Sequence, residues 1–287
     1  MSTDGTQFEY SCFNVSISDH IAHVQLSRPE QMNTMNKAFW KELPSLIDKI
    51  DSQSLARVIV ISSTGKHFSA GMDLSVFSDP NAVPMRGDPA RMAENLRRVV
   101  MQLQDSVSSL EKARIPVLVA IHGGCVGGAL DMVCAADCRY ATQDAFFTIK
   151  ETELGMTADV GTLQRFPKLV SQGMVRELAY TGRKFTASEA EAMGLVNKVF
   201  PDQEALIAGV MEIAARISGN SPLAVVGCKE MLNYSRDHSV QDSLSYMATW
   251  QSGMFRQEDM MKSFVAKSQK TQPEFDEVWP VSPLFEL

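Results

Sequence analysis

Two short segments leave backbone N–H groups uncovered where a ligand could approach them. Residues 67–73 read HFSAGMD and residues 122–131 read HGGCVGGALD, and each comes after an apolar run typical of a buried strand. Small side chains permit close approach to the backbone, and a helix beginning near Gly128 would direct the positive end of its dipole at the ligand. Two fixed N–H donors favour a developing oxyanion, such as the carbonyl oxygen of a thioester that becomes an enolate.

The second segment also has an ordinary explanation, since glycines are common in any tight turn from a strand into a helix. A dinucleotide-binding loop is excluded, because a G-x-G-x-x-G pattern around Gly124 and Gly127 would require glycine at position 122, which is His122. Glycine alone therefore does not decide between a turn and an oxyanion site.

Three acidic residues accompany these segments. Asp131 lies in the first turn after Gly128, Glu151 follows a predicted strand over 146–148, and Asp159 precedes a helix predicted to begin at Val160. Taken singly, Asp131 could favour the helix dipole, Asp159 could cap its helix and Glu151 could be a surface charge. Their combination beside two candidate oxyanion loops favours a shared acid–base site.

The histidines and cysteines do not predict a metal site. His67 and His122 flank the loops, but no second histidine or cysteine stands at ligand spacing, so we expect both to be structural. The five cysteines lack the paired spacing of a zinc site or a disulfide framework, and they are predicted to be buried free thiols.

The elements that would hold these loops alternate between strands and helices. Alternating apolar positions predict an N-terminal hairpin, and helical spacing separates the later strands. The predicted order is strands 13–17 and 21–26, helix 37–50, strand 57–61, loop 84–89, helix 90–113, strand 116–121, helix 128–136, and strands 138–141 and 146–148. This order is typical of a wound α/β core.

The sequence becomes mainly helical after about Leu195. Helices are predicted at 204–218, 222–234, 240–253 and 257–267. We therefore divide the chain into an α/β core over 1–200, which holds the candidate site, and a helical region over 201–287, suited to a cap or an oligomer interface.

Composition sets limits on the partners. The 287 residues are 45% hydrophobic and 21% charged, as in a globular protein, and no run of about 18 apolar residues predicts a membrane span. A net charge of −7 without a basic block argues against nucleic acid as the main ligand. Neither the first ten residues nor the last three match a targeting signal, so we expect a cytoplasmic protein.

Several stretches, in this order along almost the whole chain, resemble one family: RPEQMNTMNKAFWKEL, FSAGMDL, IHGGCVGGALD, CRYATQDAFFTIKE, ADVGTLQRFPK, GLVNKVFP and YSRDHSV. They resemble the crotonase superfamily, the enoyl-CoA hydratases and isomerases, and within it the isomerases of dienoyl thioesters. The resemblance implies a spiral of ββα units with a C-terminal helical region that assembles homotrimers, often paired as hexamers.

The resemblance also implies a site for an acyl-CoA thioester. The oxyanion donors would be the backbone N–H groups of Met72 and Gly128. The substrate-binding residues would be Ala70, Gly71, Met72, Asp73, Leu74 and Gly128. Met32 and Met35 are candidates for lining the adenine or acyl path, and Lys66, Arg28 and Lys262 are candidates for the coenzyme phosphates.

In hydratases of this superfamily, the first two acidic positions are glutamates that hold a water, and the third is typically glycine. Here Asp131 and Asp159 occupy the first and third positions, which resembles the dienoyl isomerases. Conversion of a 3,5-diene to a 2,4-diene removes a proton at C2 and returns one at C6. These two carbons are too far apart for one carboxylate to reach both. The resemblance assigns this pair to Glu151 and Asp159, with Asp131 supporting. Which of the pair takes the first proton stays open, with a preference for Asp159 at C2.

Such proton transfers require no metal and no cofactor besides the coenzyme A of the substrate. The nearest rival is an enoyl-CoA hydratase, which Asp159 in place of glycine disfavours. A non-catalytic acyl-CoA-binding relative or an RNA-binding relative is a further alternative, which the intact set of acids and the net negative charge disfavour.

Overall fold

A computed structural model describes residues 9–78 and 87–282 of the chain. Residues 84–86 of the predicted loop and the last three residues of the chain lie outside the described ranges. Asp88 and Pro89 start a helix, because the Asp88 side chain accepts a hydrogen bond from the Arg91 N–H at 3.0 Å and proline suits the first helical position. The prediction of a loop through Pro89 was therefore wrong by one residue.

The strands of the described ranges form two sheets. Their bounds are β1 Phe13–Ser18, β2 Ile21–Leu26, β3 Val58–Ser63, β4 Val117–Ile121, β5 Gly124–Val126, β6 Cys138–Thr142, β7 Phe146–Thr148, β8 Phe185–Thr186 and β9 Lys198–Phe200. The main sheet has the order β1-β2-β3-β4-β6-β9, and the smaller sheet has the order β5-β7-β8. Strands β1 and β2 are antiparallel, as predicted for the hairpin, and the other pairs of the main sheet are parallel.

The helices follow the strands in alternation and then dominate the C-terminal part. Their bounds are α1 Lys37–Ser52, α2 Ser75–Ser78, α3 Pro89–Lys112, α4 Gly128–Cys134, α5 Thr162–Leu169, α6 Gln172–Thr181, α7 Ala187–Ala192, α8 Gln203–Ser218, α9 Pro222–Asp237, α10 Val240–Met254 and α11 Gln257–Gln269. Two 3₁₀ turns cover Pro29–Gln31 and Glu151–Leu154. The predicted α/β architecture is confirmed.

The main sheet is covered on both faces, which explains why β3 and β4 are continuous apolar runs. Ile59 and Ile61 of β3 belong to the large core that also contains Leu46 of α1. Val58 and Val60 face the opposite way and pack in a second core with residues of α8. Helix α8 thus contacts the sheet, and the division of the chain at residue 200 stays a prediction.

The smaller sheet places the second loop. Strand β5 pairs with β7 in parallel, with Gly124 opposite Phe146 and Val126 opposite Thr148. Immediately after β5, the Gly127 N–H donates to the Thr148 carbonyl oxygen at 3.0 Å, and α4 begins at Gly128. This pairing brings the start of α4 beside the turn that contains Glu151.

Helix α5 begins at Thr162 rather than at Val160. Gly161 has φ 135°, a conformation that ends any continuous helix and that side chains rarely adopt, and it occupies the N-cap position. The prediction of a start at Val160 was therefore wrong by two residues, and the alternative that Asp159 only caps this helix is wrong with it.

Candidate active site

The two predicted loops meet side by side. Ser69 pairs with Cys125 of β5: its N–H donates to Gly124 O at 3.0 Å, and its carbonyl accepts from the Val126 N–H at 3.1 Å. On its other side the first loop pairs with Met35, whose N–H donates to Gly71 O at 2.8 Å. The loop over 67–73 is therefore held between the small sheet and the segment that enters α1.

The backbone N–H groups of Met72 and Gly128 have no hydrogen-bond acceptor within the described ranges, whereas their neighbours do. Gly71 N donates to Ser69 Oγ at 3.1 Å, Asp73 N to Met35 O at 3.1 Å, and Gly127 N to Thr148 O at 3.0 Å. A Cβ placed on Gly128 would lie 3.7 Å from Met72 N, so the two unpaired donors are neighbours. This is the geometry of an oxyanion hole; the assignment of that role stays a prediction.

Glycine at position 71 makes this approach possible. Gly71 has φ 84°, and a Cβ on it would lie 2.4 Å from Val126 O and 3.3 Å from Gly128 N. Any side chain would push the loops apart, so the spacing of the two donors depends on Gly71 as well as on Gly128.

Asp131 is 1% exposed on α4, and one oxygen of its carboxylate accepts the Thr162 N–H at 2.5 Å. Burial raises its pKa to about 6, and the charge of Asp159 adds to the shift while the hydrogen bond from Thr162 opposes it. Asp131 therefore holds the N-terminus of α5, a contact that its position in the sequence did not predict.

Glu151 turns one carboxylate oxygen into the protein interior. Its Oε2 is buried and accepts no hydrogen bond in the described part of the chain, and a Cβ on Gly127 would lie 3.0 Å from its Oε1. The pKa of Glu151 is raised to about 7, mainly by burial and also by the charges of Asp131 and Asp159. The alternative that Glu151 is only a surface charge is wrong.

Asp159 lies in the irregular segment before α5 and remains accessible to solvent. Partial burial by the surrounding protein still raises its pKa, and its own backbone N–H opposes the shift. Because each of Asp131 and Glu151 senses its charge, the structure brings the three predicted acids into one cluster.

The other predicted substrate-binding residues differ in their exposure to solvent and in their contacts within the protein. Ala70 is half-buried and Leu74 is 66% exposed, so both are accessible from the loop surface. The Asp73 carboxylate is engaged within the protein: Oδ1 accepts from Ser75 Oγ at 2.6 Å and Oδ2 accepts from Thr34 Oγ1 at 3.0 Å. These bonds lower the pKa of Asp73, with those from Ser75 acting most strongly.

The side chains of the two flanking histidines both make hydrogen bonds to backbone groups within the protein. His67 Nδ1 accepts the Gly124 N–H at 3.0 Å, and burial lowers the pKa of His67. His122 Nε2 contacts Gly65 O at 2.9 Å. No group of three or more possible metal ligands occurs among the described residues.

The prediction that all five cysteines are buried was wrong. All five are free thiols, and three of them, at positions 12, 125 and 134, are buried. Cys138 is half-buried and Cys228 is exposed, because it lies on α9 in the helical region rather than under the sheet.

The sequence analysis did not single out two residues near the site. One is Gln104, whose side chain donates to the Asp159 carbonyl oxygen at 2.7 Å. The other is Trp40, which lies beside the two unpaired backbone donors. A Cβ on Gly128 would lie 3.3 Å from Met35 Sδ and 3.9 Å from Trp40 Cη2, so the two side chains form a wall beside the unpaired donors. Met35 is fully buried there, whereas Met32 is 52% exposed. The helical spacing predicted only that Trp40 lies on α1, and long-range packing decides which face it covers.

The basic candidates for the phosphates have internal partners in two of three cases. Arg28 donates to Thr34 O at 2.5 Å and lies 3.6 Å from the Asp73 carboxylate. Lys262 pairs with Asp276 at 3.0 Å, and Lys66 is exposed. Their phosphate-binding role stays a prediction.

Comparison with known proteins gives consistent matches. The family model described as enoyl-CoA hydratase/isomerase matches residues 16–278. A protein of Mus musculus named Delta(3,5)-Delta(2,4)-dienoyl-CoA isomerase, mitochondrial, is 48% identical over 256 residues, which cover 89% of this chain and 78% of that one. A peroxisomal protein of that name from Arabidopsis thaliana is 41% identical over 256 residues, covering 89% and 92%.

The fold has solved counterparts. The structure of an enoyl-CoA hydratase from Bacillus anthracis superposes with a TM-score of 0.82 at 27% identity and covers 95% of this chain and 100% of that one. An enoyl-CoA hydratase subunit from Geobacillus kaustophilus gives a TM-score of 0.81 at 25% identity, covering 94% and 99%. These likenesses confirm the predicted crotonase-like fold with its C-terminal helices.

Proposed function

The chain belongs to the enoyl-CoA hydratase/isomerase family, and from that premise we propose that it isomerises 3,5-dienoyl-CoA to 2,4-dienoyl-CoA in fatty-acid β-oxidation. The observation that carries this proposal is the third carboxylate, Asp159, close enough to Glu151 and Asp131 to raise the pKa of both. Relatives at 45–48% identity that bear the name of this isomerase support it.

The proposed reaction consists of two proton transfers, one that forms a conjugated anion and one that consumes it. Asp159, as a carboxylate, removes a proton from C2, and the electron pair of that C–H bond enters the conjugated system as a dienolate. The thioester oxygen takes the negative charge and accepts hydrogen bonds from the N–H groups of Met72 and Gly128. Protonated Glu151 then donates to C6, which leaves double bonds at C2 and C4.

The electrostatics of the pair support this direction. A pKa of about 7 keeps a substantial fraction of Glu151 protonated at neutral pH, as an acid requires. Asp159 reaches solvent, which favours its charged form and its role as a base. Solvent exchange resets both groups after each turnover.

A hydratase is the second candidate, because the solved counterparts bear that name. Hydration requires a water held between two acids, and the Asp131 carboxylate is here engaged with the Thr162 N–H. We therefore expect hydration of a 2-enoyl-CoA to be much slower than diene isomerisation.

The test is incubation of the purified protein with a 3,5-dienoyl-CoA while ultraviolet absorbance reports the conjugated 2,4-dienoyl thioester. A 2-enoyl-CoA in parallel measures hydration. Fast isomerisation with slow hydration supports the proposal, and the reverse order would replace it with the hydratase. Binding of both thioesters without turnover would favour a non-catalytic acyl-CoA-binding protein.

We further propose that the reaction needs no metal, nucleotide or flavin, because every step is a proton transfer over backbone donors. Activity that is lost on chelation and restored by a divalent ion would contradict this. Assembly into a homotrimer or hexamer through the helical region is also proposed, supported by the exposed apolar side chains of α10 and α11.

The compartment is a separate question. Within the described ranges, no helix is long and apolar enough to cross a membrane. The relatives named above are mitochondrial or peroxisomal, so the expected cytoplasmic location stays a prediction that cell fractionation would test. The absence of a nucleic-acid partner likewise stays a prediction.

A further inference from the structure

The position of the Asp159 carboxylate depends on the backbone that carries it. The Asp159 carboxylate accepts from its own backbone N–H, and no other side chain hydrogen-bonds it in the described part of the chain. The residue lies in an irregular segment between the turn Glu151–Leu154 and α5. Whatever holds this segment therefore sets the distance from Asp159 to the substrate.

One face of α3 provides that support. Gln104 Nε2 donates to the Asp159 carbonyl oxygen at 2.7 Å. One and two turns further along, Ser108 Oγ accepts from Arg165 at 2.9 Å, and Glu111 pairs with Arg165 at 3.0 Å. The three side chains at positions 104, 108 and 111 follow helical spacing, so they form a single row along α3.

Arg165 links this row to the segment itself. Its guanidinium lies against Gly161, where a Cβ would come within 2.0 Å of it. The Glu111 carboxylate is half-buried, and it accepts hydrogen bonds from both Arg165 and Arg236 of α9. Arg165 therefore connects α5, which carries its backbone, to α3, which binds its guanidinium.

The segment is thus held at two points, one at the carbonyl group of Asp159 and one at the start of α5. Gln104 binds the carbonyl oxygen of Asp159, and Asp131 binds the N–H of Thr162, three residues further along. Of these two contacts, the Gln104 contact is the one that acts on the carbonyl group of Asp159 itself. Loss of this contact would free the peptide to rotate while Asp131 still kept α5 in place.

We infer that Gln104 is a positioning residue that fixes Asp159 relative to Glu151 for the transfer of protons at C2 and C6. The inference rests on the proposed function. A misplacement of about 1 Å at a reacting group lowers rates by about 10²-fold. Gln104 thereby gives α3 a role in the reaction although its side chain need not touch the substrate.

The test variant is Gln104→Met, which keeps the length of the side chain and removes the donor. Gln102→Met is the matched control, because Gln102 is an exposed glutamine on the same helix. For Gln104→Met we expect kcat for diene isomerisation to fall by about 10- to 100-fold with KM within about two-fold. Gln102→Met should behave like the wild type, and the melting temperatures should agree within a few degrees.

A second measurement separates positioning from general damage. In an Asp159→Asn background, Gln104→Met should lower the residual rate little further, because the group that it positions no longer transfers a proton. Amide hydrogen exchange of residues 156–161 should become faster in Gln104→Met, whether or not substrate is present.

The outcomes are distinct. Equal fold losses in the wild-type and Asp159→Asn backgrounds would overturn the positioning role, as would a Gln104→Met rate equal to the wild type. Neither result would contradict the proposed function. A wild-type protein without diene isomerase activity would instead overturn the proposed function and this role together, and the wild-type assay alone reveals that case.

Discussion

At the scale of single residues, the three carboxylates are chemically different although they share one site. Asp131 is buried and bound to a backbone N–H, Glu151 has a buried oxygen without a hydrogen-bond partner among the described residues, and Asp159 reaches solvent. The sequence predicted which acids meet, because the spacing and the resemblance single them out. It did not predict their partners, since the Asp131 contact joins residues 31 positions apart.

The first prediction concerns Asp159→Asn, which keeps the volume of the side chain and removes its ability to accept a proton. If Asp159 transfers a proton, kcat for diene isomerisation should fall by about 10²–10⁴-fold. Stability should change little, because Gly161 rather than Asp159 occupies the N-cap of α5. The ultraviolet assay and thermal unfolding measure the two effects.

Asp105→Asn is a suitable control for Asp159→Asn, because it removes an exposed carboxylate that pairs with Lys112 at the surface of α3. It should leave the rate unchanged. An Asp159→Asn enzyme as fast as the wild type would leave Asp131 and Glu151 as the working pair and favour the hydratase.

The second prediction assigns the roles of the pair by pH. If Glu151 is the acid, kcat/KM should fall as pH rises through about 7, where Glu151 loses its proton. If Glu151 were the base, kcat/KM should instead rise with pH in that window. The pH profile of the free enzyme decides between the two, and its midpoint belongs to the coupled cluster rather than to one group.

The third prediction uses the same carboxyl as a probe of stability. Its pKa is raised from 4.5 to about 7 in the folded protein, so between these values the folded state binds more protons than the unfolded state. The contribution of Glu151 to stability therefore falls as pH rises through this window. Glu151→Gln should raise the melting temperature more at about pH 8 than at about pH 4. A difference independent of pH would contradict the raised pKa.

At the scale of elements, the sequence predicted the helices and strands that have a strong apolar periodicity. It missed the short strand that depends on long-range pairing. The hairpin, α1, β4 and the C-terminal helices appear close to the predicted bounds. Strand β5 has only three residues, the first of them a glycine, and nothing local distinguishes it from a loop. Its pairing with β7 and Ser69 creates the strand, and that same pairing brings the two candidate oxyanion loops together.

The fourth prediction tests that junction with Gly128→Val. A Cβ on Gly128 would lie 3.3 Å from Met35 Sδ and 3.7 Å from Met72 N, so valine methyls would fill the space that we predict for the thioester oxygen. Loss of access to the donors should lower kcat/KM by about 10²–10³-fold or more. Folding should suffer less, because the tightest neighbour is the end of a flexible methionine.

Gly173→Val is the control for Gly128→Val, since that helical glycine has open space around its Cβ position. It should lower stability slightly and leave turnover unchanged. Near-normal turnover of Gly128→Val would show that the oxyanion loop lies elsewhere.

At the scale of the whole molecule, the apolar surface is distributed unevenly. The main sheet is sealed by α1 on one face and α8 on the other. Most exposed large apolar side chains of the described ranges follow residue 231, and Leu244, Phe255 and Phe264 are each more than half exposed. Helices α9, α10 and α11 also surround a groove of about 600 Å³ that contains Trp250 and Met254. A cluster of exposed apolar side chains in one region is typical of a protein–protein interface.

The last prediction is that this helical region assembles the protein. Wild-type protein at micromolar concentration should sediment at three or six times 31.7 kDa. Leu244→Asp and Phe264→Asp place a charge on the exposed apolar side of α10 and α11, and a charge buried in an interface without a partner is strongly unfavourable. Both variants should shift the population towards monomer. Tyr180→Asp is the matched control, because Tyr180 is 69% exposed on α6, outside the helical region. A monomeric wild type would contradict the prediction, and equal dissociation by Tyr180→Asp would place the interface elsewhere.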